Sequence, residues 1–180
     1  ARETVVTLEA SLGLERFAGV DFWKTRLRLV AESAPWRLWS GGAFLGLGDQ
    51  VWYDPDDPFL GYAVDVQAWS ALRPSDALRL DLSVARSAFW RRTGGEEMFD
   101  DVIVRSKATY QFTRALSLRA IAEWNGFRDR LALNGLLSFV PSPGTVFFFG
   151  VDDLRDRQPG VGLEPSRRVW FVKASYLWRP

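Results

Sequence analysis

Apolar and polar residues alternate along this chain in runs that are long for single β-strands. The segment LSLRAIAEW at 116–124, for example, places Leu, Leu, Ala, Ala and Trp on one parity and Ser, Arg, Ile and Glu on the other. A period of two predicts a β-strand with two different faces. Strands of soluble proteins usually have about five or six residues, whereas a tilted membrane-spanning strand needs about 9–11. The length of the runs therefore favours strands that cross a membrane.

The alternation predicts ten strands in a single domain covering residues 1–180. The glycine-rich stretch at 36–48 is counted as a strand, although its pattern does not assign its faces. The predicted fold is all-β, an antiparallel up-and-down transmembrane β-barrel of about ten strands. The predicted strands lie at 3–13, 20–32, 36–48, 59–72, 77–90, 102–113, 115–125, 129–140, 145–152 and 168–179.

The connections between these strands alternate in character. Short, turn-like connections such as RPSDA and PSPG alternate with longer polar segments such as DQVWYDPDDP and RRTGGEEMFDD. Outer-membrane barrels have short periplasmic turns and long extracellular loops. The sequence therefore predicts that the segments 49–58, 91–101 and 153–167 lie outside the cell. With ten strands, it also predicts that the N-terminus and the C-terminus both lie on the periplasmic side.

The two parities predict which face meets lipid. The apolar parity carries large side chains along nearly every strand, too many for a narrow barrel to enclose at normal packing density. Arg86 is the one charged residue that fits this parity badly. Aromatic residues near strand ends predict interfacial girdles: Trp23, Trp36, Tyr62, Trp90, Tyr110, Trp124, Trp170 and Trp178. The polar parity predicts charged residues that face the lumen: Glu9, Lys24, Arg26, Arg28, Asp65, Arg79, Asp81, Arg105, Lys107, Arg119, Glu123 and Lys173.

The last strand, VWFVKASYLWRP, carries alternate apolar residues that end in Tyr176 and Trp178. It is similar to the β-signal that barrel assembly machinery recognises at the end of its clients. That signal usually finishes on an aromatic residue, whereas Arg179 and Pro180 follow here.

The composition argues against an enzyme and against a resident cofactor. The chain has no histidine and no cysteine, so the commonest general base, the commonest metal ligand and any thiol nucleophile are missing. Acidic clusters at 49–57 and 96–101 lack the spacing of a known calcium loop and are interpreted as solvated loops. We expect no catalytic residues, no metal site and no cofactor.

Four motifs follow one another in a distinctive order: RTGGEE at 92–97, YQFTRALSLRAI at 110–121, PSPGTVFF at 141–148 and VKASYLW at 172–178. Together they resemble the C-terminal barrel domain of bacterial outer-membrane proteins that carry an N-terminal carbohydrate-binding-family-nine-like domain. The resemblance covers about residues 37–180. It implies a barrel of more than ten strands, so this chain is either the C-terminal arc of a larger barrel or a shorter closed relative.

Three functions are compatible with these patterns. The first is an outer-membrane anchor or assembly subunit whose lumen is filled by charges. The second is a pore with a weak anion preference, because basic residues outnumber acidic ones on the predicted lumen face. The third is a soluble lipocalin-like barrel that binds a ligand. For the membrane forms the expected partners are membrane lipids, lipopolysaccharide, the barrel assembly machinery and other outer-membrane or periplasmic subunits. The net charge of +1 predicts no nucleic-acid partner.

Overall fold

A computed structural model describes residues 3–92 and 95–178 of the chain. Ten antiparallel strands form one sheet in which each strand pairs with its neighbours in sequence. The predicted all-β, up-and-down fold is therefore confirmed. The strands are β1 Glu3–Phe17, β2 Val20–Trp36, β3 Trp39–Trp52, β4 Phe59–Leu72, β5 Leu78–Arg91, β6 Glu97–Gln111, β7 Leu116–Asn125, β8 Arg130–Ser142, β9 Thr145–Gln158 and β10 Gly162–Tyr176.

The chain forms two compact units. Unit 1 comprises residues 1–70 and 84–102, and unit 2 comprises 71–83 and 103–180. β1 and β10 are the two edge strands of the sheet, and no pairing joins them within the described part of the chain. We call the end where β1 begins and β10 finishes the proximal end, and the end that holds the β1–β2 turn the distal end. No helix in the described ranges is long and apolar enough to cross a membrane.

Several strands extend further at the distal end than the alternation predicts. β9 continues to Gln158 and β10 begins at Gly162, so the predicted loop at 153–167 is wrong. Likewise β3 runs to Trp52 and β6 starts at Glu97, which shortens the predicted loops 49–58 and 91–101. The alternation fades in these charged stretches, but backbone pairing continues because a ladder needs N–H and C=O groups and no apolar face. The predicted contrast between short and long connections largely disappears.

The β1–β2 connection is a two-residue hairpin. Phe17 pairs with Val20, and both residues between them have positive φ, 48° at Ala18 and 81° at Gly19. Two such residues correspond to the type I′ turn, whose twist matches that of the flanking strands. Glycine adopts this conformation readily, whereas alanine does so at an energetic cost.

The strand registers assign both faces of the sheet, including the faces of 36–48. Arg28 lies opposite Glu9 on β1 and opposite Gly46 on β3, so the even residues at the centre of β3 share a face with these charges. A register shift between Ser33 and Trp36 brings Trp36 opposite Trp39, on the other face. We call the face with Glu9 and Arg28 the polar face and the opposite one the apolar face. Within unit 2 the polar face carries Asp81, Lys107, Glu123, Asn134 and Asp152.

Glycines on the polar face lie beneath aromatic rings of neighbouring strands. A Cβ atom built on Gly61 would stand 2.3 Å from the ζ carbon of Phe89, and one on Gly150 would stand 2.2 Å from that of Phe171. Each ring therefore lies directly against the backbone of the next strand. The missing side chain, and not a special backbone angle, is what these two positions require.

Burial is unusually sparse for a chain of 180 residues. Most large apolar side chains are exposed, including Leu8 at 67%, Val172 at 76% and Trp170 at 59%. A soluble domain of this size ordinarily encloses a continuous core. Among the described residues, the buried apolar side chains are Phe22, Val51, Ala63, Ala88 and Phe89.

Candidate functional site on the polar face

The polar face of unit 1 brings together the charges that the sequence assigns to a lumen. The Arg26 guanidinium donates to Asp65 at 2.8 Å and to the Gln50 side-chain oxygen at 2.5 Å. The Ser87 hydroxyl donates to the other oxygen of Asp65 at 2.8 Å. The ion pair links β2 with β4, and the serine extends this network to β5. A charge-assisted network of this kind holds its side chains in place better than a single surface pair.

Further ion pairs join β1 and β2 on the same face. Arg28 lies 3.6 Å from Glu9, the residue opposite it in the register. Lys24 forms an ion pair with Glu15, a residue that the sequence prediction omitted. The predicted strand 3–13 ended too early to include this carboxylate, which β1 carries at its distal end. Both pairs belong to the class of cross-strand opposite charges that stabilise antiparallel sheets.

The polar face of unit 2 repeats this arrangement. Asp81 accepts from Arg79 at 2.8 Å and from Lys107 at 3.1 Å, and Arg105 contacts Glu123 at 3.1 Å. These five residues were all predicted to face the lumen. The remaining predicted charges, Arg119 and Lys173, have no ion pair with another described residue.

The polar face of unit 2 also carries residues that the sequence prediction did not include. The Asn134 side-chain amide donates to Asp152, and Arg130 donates to Asp156 at 2.5 Å. Both carboxylates belong to the distal part of β9, where the sequence predicts the strand to end at 152. Continuing the alternation of β9 past this point would have found Asp156. These acidic residues reduce the excess of basic charge that the predicted set implies.

Tyr53 and Glu15 form a contact at the distal end of unit 1, just beyond β3. The Tyr53 hydroxyl donates to Glu15 at 2.7 Å. Because this hydrogen bond and the negative charge of Glu15 favour the protonated phenol, the pKa of Tyr53 lies above its ordinary value. The Tyr53 ring also meets Phe17 edge-on, with centroids 5.2 Å apart.

The apolar face carries charges only near the distal end. Arg86, which fitted this face badly, donates from Nε and Nη2 to Asp100 at 2.8 and 2.5 Å. In unit 2, Arg168 and Arg155 both contact Asp153. Toward the proximal end every strand presents only uncharged residues on this face. Every charged residue that parity places on the apolar face within strands lies in the distal half: Arg16, Asp21, Asp49, Arg86, Asp100, Asp153, Arg155, Arg157 and Arg168.

Seven of the eight predicted girdle residues project from the apolar face of a strand. The eighth, Trp178, lies two residues beyond the end of β10. Trp36, Tyr110 and Trp178 lie at proximal strand ends, and Trp178 contacts Tyr176 with centroids 6.4 Å apart. Trp170 instead lies in the middle of β10, stacked on Phe149 at 5.7 Å. The distal positions are occupied by Trp23, Tyr62, Trp90 and Trp124.

In the two acidic clusters, Asp49, Asp57 and Asp100 each pair with an arginine. Asp49 is buried, accepts from the Thr25 backbone N–H at 2.9 Å and pairs with Arg92 at 3.0 Å. Asp57 pairs with Arg91. Asp49 is therefore part of the folded sheet and not a solvated loop residue. No group of three or more potential metal ligands occurs in residues 3–92 and 95–178.

The apolar face of unit 2 contains a groove of about 580 Å³. Its floor consists of small residues on adjacent strands, with Ala120 opposite Ala108 on β6 and Gly135 on β8. Trp170 and Arg168 border the groove on β10. The lining is mainly apolar but also includes Lys107 and Asn134, and one border ends in the Arg168–Asp153 ion pair.

The chain matches no protein-family model, no curated protein sequence and no solved structure. The resemblance to the barrel domain of the carbohydrate-binding-linked proteins therefore stays a prediction. One of its motifs is also only partly covered by the structure. Residues 93 and 94 of RTGGEE lie outside the described residues, as do residues 179 and 180 beyond the predicted assembly signal.

Proposed function

We propose that this chain is an outer-membrane β-barrel protein that acts as a membrane anchor or assembly subunit, with paired charges filling its polar face. The observation that carries the proposal is the contrast between the two faces. One face exposes large apolar side chains and is free of charge toward the proximal end, and the other holds linked ion pairs. In water this exposure would be unfavourable, because monomeric soluble proteins rarely expose contiguous apolar patches larger than a few hundred Å².

The distribution of charge on the apolar face also fits a band that spans a membrane. Transmembrane barrels carry an apolar band about 25 Å tall between two interfaces. The uncharged proximal part of the apolar face would form most of this band, and the ion pairs Arg86–Asp100 and Arg168–Asp153 would lie toward its distal boundary. Pairing lowers the cost of charge at that depth. In the orientation that the sequence predicts, the distal end faces the outside of the cell, where lipopolysaccharide would be the neighbouring lipid.

The anchor is favoured over the pore because most predicted lumen charges already have partners. Arg26–Asp65, Arg105–Glu123 and Lys107–Asp81 connect neighbouring or next-neighbouring strands. Side chains largely fill the interior of small barrels, and such pairs would do so here. The weaker alternative is a pore with an anion preference. Its supporting observation is that Arg119 and Lys173 pair with no other described residue.

A soluble ligand-binding barrel is the third candidate, and the apolar groove in unit 2 is the observation in its favour. A lipocalin-like protein would turn its apolar face inward and use such a groove for its ligand. That arrangement would have to bury side chains that are exposed here, Leu8 and Val172 among them. The proposal assigns the chain no catalytic role, and the prediction that it is not an enzyme stays a prediction.

Membrane insertion is tested by producing the full chain behind a cleavable secretion signal in a Gram-negative host. We expect it to fractionate with the outer membrane, to resist alkaline extraction, and to migrate faster in unboiled than in boiled detergent gels. A chain that stays in the aqueous fraction and remains monomeric without detergent would contradict the proposal. A disrupting variant completes the test. The double change Leu118→Glu and Leu137→Glu introduces charge on the apolar face and should prevent stable insertion.

Anchor and pore are separated by planar-bilayer recordings on the same purified chain. We expect no stable conductance steps. Steps that carry anions, and whose selectivity reverses when Arg119 and Lys173 are both changed to Glu, would instead establish the pore.

A further inference from the structure

Unit 1 contains a second cavity, on the polar face near the distal end, that the proposed anchor role does not use. Its volume is about 440 Å³, within the range of small-molecule sites. Aromatic rings from β3, β5 and β6 form one part of its lining, and polar side chains from β2 to β5 form another. This lining combines aromatic rings with hydrogen-bonding side chains, whereas the lining of the groove in unit 2 is mainly small and aliphatic.

The aromatic wall is a row of nearly parallel rings. Trp52 and Phe89 have centroids 5.7 Å apart and planes inclined by 16°, and Phe89 and Phe99 are 6.0 Å apart and inclined by 20°. Phe89 is 1% exposed and lies against the backbone at Gly61. The central ring is therefore fixed, and it holds the partly exposed rings of Trp52 and Phe99 on either side.

The polar wall is electrically balanced. Arg26 and Asp65 neutralise each other at 2.8 Å, and Ser87 donates its hydroxyl hydrogen to Asp65. The Gln50 oxygen accepts from Arg26, which leaves the Gln50 amide nitrogen as a donor without a partner among the described residues. A charged ligand would have to compete with the Arg26–Asp65 pair. A neutral ligand can add hydrogen bonds to the remaining donor and acceptor positions without breaking it.

We propose that this cavity binds a neutral saccharide of one or two pyranose rings. A pyranose has a face of C–H groups that packs against aromatic rings and a rim of hydroxyls that both donate and accept hydrogen bonds. The partly exposed rings of Trp52 and Phe99, which the buried Phe89 holds in place, match the C–H face. The Gln50 amide and the Arg26–Asp65–Ser87 network match the rim. The site lies entirely within unit 1, so the proposal does not depend on membrane insertion.

The test is titration of the detergent-folded full chain with maltose, cellobiose and diacetylchitobiose, followed by calorimetry and by tryptophan fluorescence. We expect at least one of these sugars to bind saturably with a Kd below about 10 mM. Phe99→Ala and Gln50→Ala should each weaken binding at least about tenfold, whereas Phe99→Tyr should retain it. Phe112→Ala, a change to an aromatic residue of unit 2, is the matched control and should leave binding unchanged. Circular dichroism of each variant verifies the β-fold.

Three results would overturn the inference. The first is the absence of saturable binding for all three sugars in a chain with native β-structure. The second is binding that Phe99→Ala and Gln50→Ala leave unchanged. The third is a preference for glucuronate or for indole over the neutral sugars, which would assign the cavity to anionic or to planar aromatic ligands. None of these results bears on membrane insertion, which the fractionation experiment tests separately.

Discussion

An arginine placed at the centre of the apolar face would report directly on what that face contacts. Ala120 is the best position, because it lies in the middle of β7 and its cross-strand neighbours are Ala108 and Gly135. The groove of about 580 Å³ above these small residues leaves room for a long side chain. The cost of Ala120→Arg should therefore come from its charge and not from overpacking.

The expected magnitude follows from the depth of the position. An arginine on the lipid face of a barrel costs about 2–4 kcal/mol at the midplane and about 0–1 kcal/mol near an interface. At about 1.4 kcal/mol per factor of ten, the unfolding equilibrium should shift roughly 30- to 1000-fold. In water, an exposed alanine changed to arginine should alter the free energy of unfolding by less than about 0.5 kcal/mol.

The assay is urea unfolding of the chain from phosphatidylcholine vesicles, followed by tryptophan fluorescence. Ala132→Arg is the matched control, since Ala132 lies on the polar face of β8 opposite Glu123 and the new charge would find a partner there. Ala120→Leu controls for size alone. The reasoning is refuted if Ala120→Arg and Ala132→Arg destabilise the chain equally, or if Ala120→Leu costs as much as Ala120→Arg.

Three further predictions concern single positions in unit 1. Ala18→Asn should stabilise the chain by about 0.5–1 kcal/mol in the same assay, because Asn tolerates the positive φ of the β1–β2 turn; an unchanged midpoint would contradict this. Gly61→Ala should destabilise it by about 1–3 kcal/mol, because the new Cβ would meet the overlying ring at 2.3 Å, whereas Gly13→Ala has open space and is the control. Finally, the hydrogen bond to Glu15 raises the pKa of Tyr53 above 10.0. The stability that this bond contributes is therefore fully present below about pH 10, and it is lost as the pH rises through the pKa of the folded state. Tyrosinate absorbance near 295 nm should therefore show one late-titrating tyrosine that Glu15→Gln shifts to lower pH; equal titration in both chains would rule the contact out.

Much of the fold could be read from alternation because its physical cause is local. Successive side chains of a strand point to opposite faces, so the pattern at 116–124 predicts β7 and both of its faces without knowledge of any neighbour. The same logic correctly grouped Asp81, Lys107 and Arg105 on one face. It failed at 153–167, where the hydrogen-bonded β9–β10 hairpin continues through charged residues without alternation.

Alternation could not predict which residues meet, because pairing depends on register and on twist between strands. The Arg26–Asp65 contact joins β2 to β4 across the intervening strand β3, where Arg26 lies opposite Gly48. Strict alternation along β2 would place Trp36 on the polar face. A register shift after Ser33 places it on the apolar face instead, and no local sequence pattern indicates this shift. The cavity walled by Trp52, Phe89 and Phe99 combines residues from three strands, so it exists only after the sheet has formed.

The sequence by itself thus determined the strands, their two unlike faces and the absence of histidine or cysteine chemistry, since these depend only on residue type and a period of two. The tertiary structure decided the extent of the distal hairpins, the partners of each charge and the rings held over Gly61 and Gly150. It also formed the groove in unit 2 and the aromatic-walled cavity in unit 1. Those features arise from distances between residues far apart in the chain, which are fixed by the register and twist of neighbouring strands.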